Sequence, residues 1–132
     1  MIDKHERAIQ AFGAFVLAFV LDLNKLSEDG WSVLVEGQRD ARALRGLGYR
    51  GPLAAVHSVG RLGVRALDGS KKVVILTDLD REGSVLASRY LKVLRHEGIR
   101  ASLVERRRLK HASRGVFLHI ENLSRFAEKH PV

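Results

Sequence analysis

The chain reads as an α/β domain with a parallel sheet of about four strands and helices on both faces. Short apolar runs at 31–36, 53–56, 71–77 and 100–104 alternate with segments of helical periodicity, the pattern of βαβ units. Within the third run, Val73, Val74, Ile75 and Leu76 are apolar without a break, as a strand buried on both faces requires. The 132 residues suffice for one core and are too few for two ordinary ones, so a single domain is expected over 1–132. Its centre is 31–104, flanked by an N-terminal helix at 5–26 and a basic C-terminal extension at 105–132.

Each element has a local reason. Over 5–26, Ala8, Ala11, Phe12, Phe15, Phe19, Leu23 and Leu26 recur at three- and four-residue steps, which predicts a helix. Residues 14–21 are apolar throughout, so this helix is expected to pack across the sheet or to face a partner, a second copy of the chain included. The uninterrupted apolar stretch 11–21 falls short of the ~20 residues of a membrane span, and no membrane association is expected. Asp3 and Glu6 also offset the basic start that a signal peptide needs.

Ser27, Glu28, Asp29 and Gly30 make a turn into the first strand. Asp40 is a candidate N-cap for a helix through Ala41, Leu44 and Leu47, broken by Gly46, Gly48, Gly51 and Pro52. The second strand ends at His57-Ser58, a brief helix follows at 62–67, and Asp68-Gly69-Ser70 turns into the third strand. Val85, Leu86, Tyr90, Leu91, Val93 and Leu94 give 81–96 a helical pattern that Gly98 stops. After the fourth strand come a basic run, an apolar stretch at 116–120 that suits an edge strand, and a last helix near 123–129.

Composition limits the function classes. Apolar residues make up 45% and charged residues 29%, as in a globular domain and unlike a disordered tail. With no cysteine there is neither a disulfide framework nor a thiolate metal site, which is compatible with the cytoplasm, the expected location. Lys and Arg total 23 against 15 Asp and Glu, a net charge of +8 that favours polyanions and makes nucleic acid the expected partner. The densest basic stretch is Arg106, Arg107, Arg108 and Lys110, with Arg114 nearby. It reads either as a phosphate-neutralising patch or as a solvated charged loop.

The acidic residues are more specific. Asp78 and Asp80 lie two apart at the end of the third strand and so leave it on the same side, with Glu82 continuing the spacing and Gly83 allowing a tight turn. Glu36 ends the first strand in the same way. In a parallel sheet these ends share one edge, so Glu36, Asp78 and Asp80 converge if the two strands are neighbours. Three converging carboxylates repel one another until a cation intervenes, and Mg²⁺ with phosphate oxygens is the natural one, Mn²⁺ being an alternative. Gly37 leaves room for a phosphate beside Glu36.

Plainer readings stand beside these: an Asp after a strand caps the next helix, and His57 at a strand end is structural rather than a proton relay. Glu121 either completes the acidic cluster or caps the last helix. His5, His96, His111, His119 and His130 show no zinc spacing.

Val35-Glu36-Gly37 followed by Thr77-Asp78-Leu79-Asp80-Arg81-Glu82-Gly83 resembles the signature of the Toprim domain. That domain is shared by type IA topoisomerases, bacterial primases, ribosomal-RNA maturation ribonucleases and overcoming-lysogenisation nucleases. The resemblance covers roughly 31–104. The whole chain resembles the small stand-alone Toprim proteins of archaea through 36–44, 76–83, 106–109 and Ile120-Glu121-Asn122-Leu123.

The resemblance implies a Rossmann-like Toprim fold and phosphodiester cleavage or nucleotidyl transfer on DNA or RNA. Glu36 would be the general acid or base, or a ligand to a second ion, and Asp78 and Asp80 would hold Mg²⁺. Arg39 and Arg81, inside the matching segments, join Gly37 and the basic run as candidate phosphate contacts. Ser58, in a loop that approaches the site in such proteins, Asp40 and Glu82 are accessory candidates.

Ser84 replaces the acid that usually follows the glycine, so Glu82 also reads as an acid that only begins the helix. Length excludes a whole topoisomerase, and the lack of cysteine excludes a primase zinc module. Tyr49 sits in a glycine-flanked loop and Tyr90 in an amphipathic helix, so neither reads as a nucleophile. The alternative is therefore a nucleic-acid or ribonucleoprotein-binding module that keeps the metal site but turns over nothing by itself.

Overall fold

The structure, a computed structural model, describes residues 3–114 and 119–128. In chain order its elements are α1 (Lys4–Glu28), β1 (Trp31–Val35), α2 (Gln38–Gly46), β2 (Leu53–Ala55), α3 (Val56–Leu62), β3 (Lys72–Ile75), α4 (Arg81–His96), β4 (Arg100–Ser102), α5 (Val104–Ser113) and α6 (Leu123–Glu128). Single 3₁₀ turns at Gly63–Leu67 and Ile120–Asn122 complete them. The four strands pair in parallel in the order β2-β1-β3-β4, which confirms the expected α/β class and strand number.

Alternation along the two central strands builds both cores. Val33, Val35, Val74 and Leu76 turn to one face, where Phe12, Val16, Phe19 and Leu23 of α1 meet Leu44 of α2, Leu109 of α5 and Leu123 of α6. Leu34, Val73 and Ile75 turn to the other, against Val59 of α3 and Ala87 and Leu94 of α4. Because β1 and β3 are covered on both sides, their apolar runs need no polar interruption.

The α1 helix has the length and apolarity of a membrane span by composition. In the fold, however, its Val16, Phe19 and Leu23 are 0% exposed beneath the sheet. Asp3 caps it by accepting the Glu6 N–H at 2.8 Å. Near its far end Asn24 is buried and saturated, its Nδ2 donating to the Gly48 carbonyl at 3.0 Å and its Oδ1 accepting the Arg50 N–H at 2.8 Å. The Phe126 ring meets Phe12 edge to face, with centroids 5.0 Å apart, and so docks α6 on α1.

Three expectations change. β2 ends at Ala55 and Val56 opens α3, so His57 and Ser58 lie in a helix rather than at a strand end. The basic run lies within α5, not in a loop. Of the expected 116–120 edge strand, 116–118 fall outside the described residues, and Ile120 sits in a 3₁₀ turn.

Candidate metal and phosphate site

Since β1 and β3 are neighbours, the residues that follow them leave one edge of the sheet. Glu36 follows β1, and its Oε1 accepts the backbone N–H of Asp78 at 3.0 Å. The two acidic strand ends are thus bonded to each other through a charge-assisted bond. Asp78 Oδ1 accepts the Ile120 N–H at 2.8 Å, and Asp80 Oδ1 accepts the Gly83 N–H at 2.7 Å as the N-cap of α4. Each aspartate has one oxygen tied to backbone, which leaves Oδ2 unheld by backbone. Both Oδ2 atoms approach His119, whose Nδ1 lies 3.4 Å from that of Asp78 and 3.7 Å from that of Asp80. One ligand atom from each of Asp78, Asp80 and His119 falls within 4.8 Å of the others, a spacing that fits a divalent ion.

The loop that carries the aspartates is latched from below. Thr77 Oγ1 donates to the Gly83 carbonyl at 2.6 Å. A Cβ on Gly83 would overlap the Asp78 carbonyl oxygen. Glycine is therefore required for close approach of backbone to backbone, not for the tight turn expected from sequence. Arg106 donates through Nε to the Thr77 carbonyl at 3.2 Å, and through Nη2 to the Asp78 carbonyl at 2.6 Å and Ser84 Oγ at 3.1 Å. The residue is 6% exposed. It is a fixed counter-charge beneath the carboxylates, and its guanidinium is committed to the loop rather than offered to solvent.

In the rest of the basic run, Arg107 and Lys110 lie three residues apart and so share a face of α5. Arg107 and Lys110 are exposed. Arg108 bonds Glu105 at 2.6 Å and Asp22 at 3.2 Å and lies over the Phe15 and Phe19 rings. Of the basic run expected at 106–110, Arg106 alone is withdrawn from solvent.

Arginines from other elements stand beside the acids instead. Glu36, Gly37, Arg39, Arg42, Asp78 and Glu121 line an open cleft of about 500 Å³. Arg39 and Arg42 of α2, with Arg125 of α6, line the adjoining hollow. Glu121 thus joins the site. Arg81 and Glu82 are exposed in the first turn of α4, and Ser58 in α3 has no hydrogen bond to the cluster among the described residues.

Asp40 is not the N-cap of α2. Gly37 holds that position, and Asp40, 7% exposed, reaches back so that its Oδ2 accepts the Gly37 N–H at 3.0 Å.

Burial pushes the Glu36 carboxyl above the usual range, with the charges of Asp78, Asp40 and Asp80 acting the same way and the Asp78 N–H opposing them. Burial also raises Asp40, helped by Asp78 and Glu121. The hydrogen bond to Asp78 raises His119, reinforced by the charges of Asp78, Asp80 and Glu121. Burial lowers Arg106, and Asp80, Glu36 and Asp78 counter it. Tyr49 is 1% exposed, donates to the Pro52 carbonyl at 2.9 Å and is pushed up to about 12 by burial, so it is no nucleophile.

Sequence reasoning missed His119, Arg42 and Arg125. Arg42 lies in the 36–44 segment that resembles the archaeal proteins, which was a usable signal; His119, one residue ahead of the 120–123 segment, and Arg125 carried none.

Comparison with known proteins agrees with this geometry. The Toprim domain family matches residues 31–112. A UPF0292 protein of Methanosarcina acetivorans is 31% identical over 112 residues, covering 83% of this chain and 78% of that protein. One from Pyrococcus horikoshii is 37% identical over 105 residues, covering 76% and 77%. A solved structure of a protein from Aquifex aeolicus superposes with a TM-score of 0.67 at 26% identity, covering 80% of this chain and 94% of that one. With its sheet order, its two acidic strand ends and these matches in agreement, the chain belongs to the Toprim domain family and groups with the small archaeal UPF0292 proteins.

Proposed function

We propose that the protein is a Mg²⁺-dependent enzyme, with Mn²⁺ an alternative, that cleaves or forms phosphodiester bonds in DNA or RNA. The observation that carries this is the shared edge of Glu36, Asp78 and Asp80, with one oxygen of each aspartate held by backbone and the other not. The donor set suits a hard cation, which supplies charge neutralisation at non-bridging phosphate oxygens and an activated water.

The chain's own residues do the rest. Glu36, its carboxyl raised, exchanges a proton closer to neutral pH than an ordinary glutamate, as a general acid or base should. Arg39, Arg42 and Arg125 line the hollow beside the acids and neutralise phosphates next to the reacting group. Arg106 keeps the two aspartates in place.

One observation favours the second reading, a binding module that turns over nothing alone. Among the described residues that line the cleft there is no Ser, Thr, Cys or Tyr nucleophile, so catalysis depends wholly on water or a substrate hydroxyl. Incubating labelled structured RNA, single-stranded DNA and supercoiled plasmid with Mg²⁺, Mn²⁺ or EDTA separates the two. Products that need the cation and vanish in Glu36→Gln support the enzyme. Cation-dependent binding without products supports the module, and neither result overturns both.

A further inference from the structure

We infer that His119 is a third protein ligand of the ion held by Asp78 and Asp80, and that its nitrogen shifts the preference of the site from Mg²⁺ towards Mn²⁺ and other first-row transition dications. The inference rests on the metal-site reading above and sharpens it to the identity of the ion. His119 Nδ1 stands 3.4 Å and 3.7 Å from the two Oδ2 atoms that no backbone N–H holds, and a bound ion would take the place of its hydrogen bond to Asp78. Donor atoms each ~2.0–2.2 Å from one ion are roughly 3.0–3.5 Å apart at angles between square and tetrahedral, and the two distances from His119 lie at or just beyond that range.

Neither aspartate owes its orientation to the imidazole, because Ile120 N–H and Gly83 N–H hold the Oδ1 atoms. Glu36 lies outside the group of mutually close ligand atoms, so it is not the third donor of this ion. The imidazole is delivered by a well-anchored segment: Ile120 and Leu123 are 0% exposed, and the His119 carbonyl accepts the Asn122 N–H at 3.0 Å. Its ring remains 47% exposed, so one side stays open to water or a phosphate oxygen. Mg²⁺ takes oxygen donors almost exclusively, whereas imidazole suits first-row transition ions. An all-oxygen site would leave Mg²⁺ and Mn²⁺ close in affinity, and a nitrogen donor separates them.

The test needs no substrate. Mn²⁺ binding to the full chain at pH 8 is followed by the loss of the free-ion EPR signal, with Mg²⁺ as competitor, in wild type, His119→Ala and Asp80→Asn. Pulsed EPR of bound Mn²⁺ reports a directly coordinated ¹⁴N. The expected result is ¹⁴N coupling in wild type that is absent in His119→Ala. Removing His119 should weaken Mn²⁺ by at least about tenfold, the scale set by losing even an outer-shell partner, while Mg²⁺ changes by less than about twofold. His119 is at the surface, so folding of the variant is not in question; far-UV circular dichroism checks it. Bound Mn²⁺ without ¹⁴N coupling, or equal losses for both ions, overturns the inference alone. No Mn²⁺ binding by wild type overturns it together with the metal-site reading.

Discussion

Arg106→Ala removes three hydrogen bonds from a 6%-exposed guanidinium and strips the counter-charge from under Glu36, Asp78 and Asp80. Hydrogen bonds to a charged group contribute ~1.5–3 kcal/mol each, so three set a gross range of ~4–9 kcal/mol. Part of that returns, because the variant no longer desolvates a cation and the space admits water to the Thr77 and Asp78 carbonyls. Removing one member of a buried charged constellation costs ~3–5 kcal/mol, the figure adopted here. Unfolding entropy of ~2.1 cal/mol/K per residue gives roughly 0.28 kcal/mol/K for 132 residues, so Tm should fall by roughly 10–20 °C. Calorimetry and urea melts in EDTA measure it, with Arg107→Ala as the exposed neighbour expected to stay within ~0.5 kcal/mol. Saturating divalent cation should return part of the loss in Arg106→Ala by binding only the folded chain. A loss under ~1 kcal/mol, or one equal to that of Arg107→Ala, would refute the latch and return Arg106 to the solvent-facing patch.

Four further outcomes follow from the site. Glu36 and Asp40 are raised above their ordinary values of 4.5 and 3.8, so the folded chain holds extra protons above those values and loses stability as pH rises through that window. His119 acts in the same direction above 6.5. In EDTA, Glu36→Gln should therefore flatten the fall in stability that sets in as pH rises above 4.5, and an unchanged slope in denaturant melts would exclude Glu36 as its source. Gly83→Ala should cost about 1–3 kcal/mol and weaken cation binding, because a Cβ overlaps the Asp78 carbonyl, whereas Gly37→Ala meets open space at an extended φ of −152° and should be nearly neutral in the same melts. Replacing Arg39, Arg42 and Arg125 together by alanine should flatten the salt slope of duplex binding by up to ~2.7, at ~0.9 per lost phosphate contact, while Arg108→Ala leaves it unchanged; fluorescence anisotropy across a salt series decides between them. Asp80→Asn keeps an N-cap acceptor but loses the ligand charge, so its Tm in EDTA should hold or rise and the Mg²⁺-induced increase should shrink; equal Mg²⁺ shifts in variant and wild type would leave Asp80 a cap only.

The sequence by itself determined the elements and the acidic strand ends, because both are local. The 73–76 run declares a strand covered on two faces, and the 5–26 spacing declares α1, since strand and helix periods are properties of contiguous residues. Glu36, Asp78 and Asp80 were legible for the same reason: Glu36 directly follows β1, the two aspartates lie in the short segment after β3, and a parallel sheet has one such edge. Their convergence still waited on β1 lying beside β3, which the crossovers decide. Tertiary structure alone decided the rest of the site. His119 is 41 residues from Asp78, and no spacing rule links them; it arrives because Ile120 and Leu123 bury in the α1-side core and Phe126 docks on Phe12. Arg106 read as solvent-facing because arginine usually is. It is buried because the Thr77 and Asp78 carbonyls, beneath three carboxylates, form a socket for a cation that no stretch of unfolded chain contains.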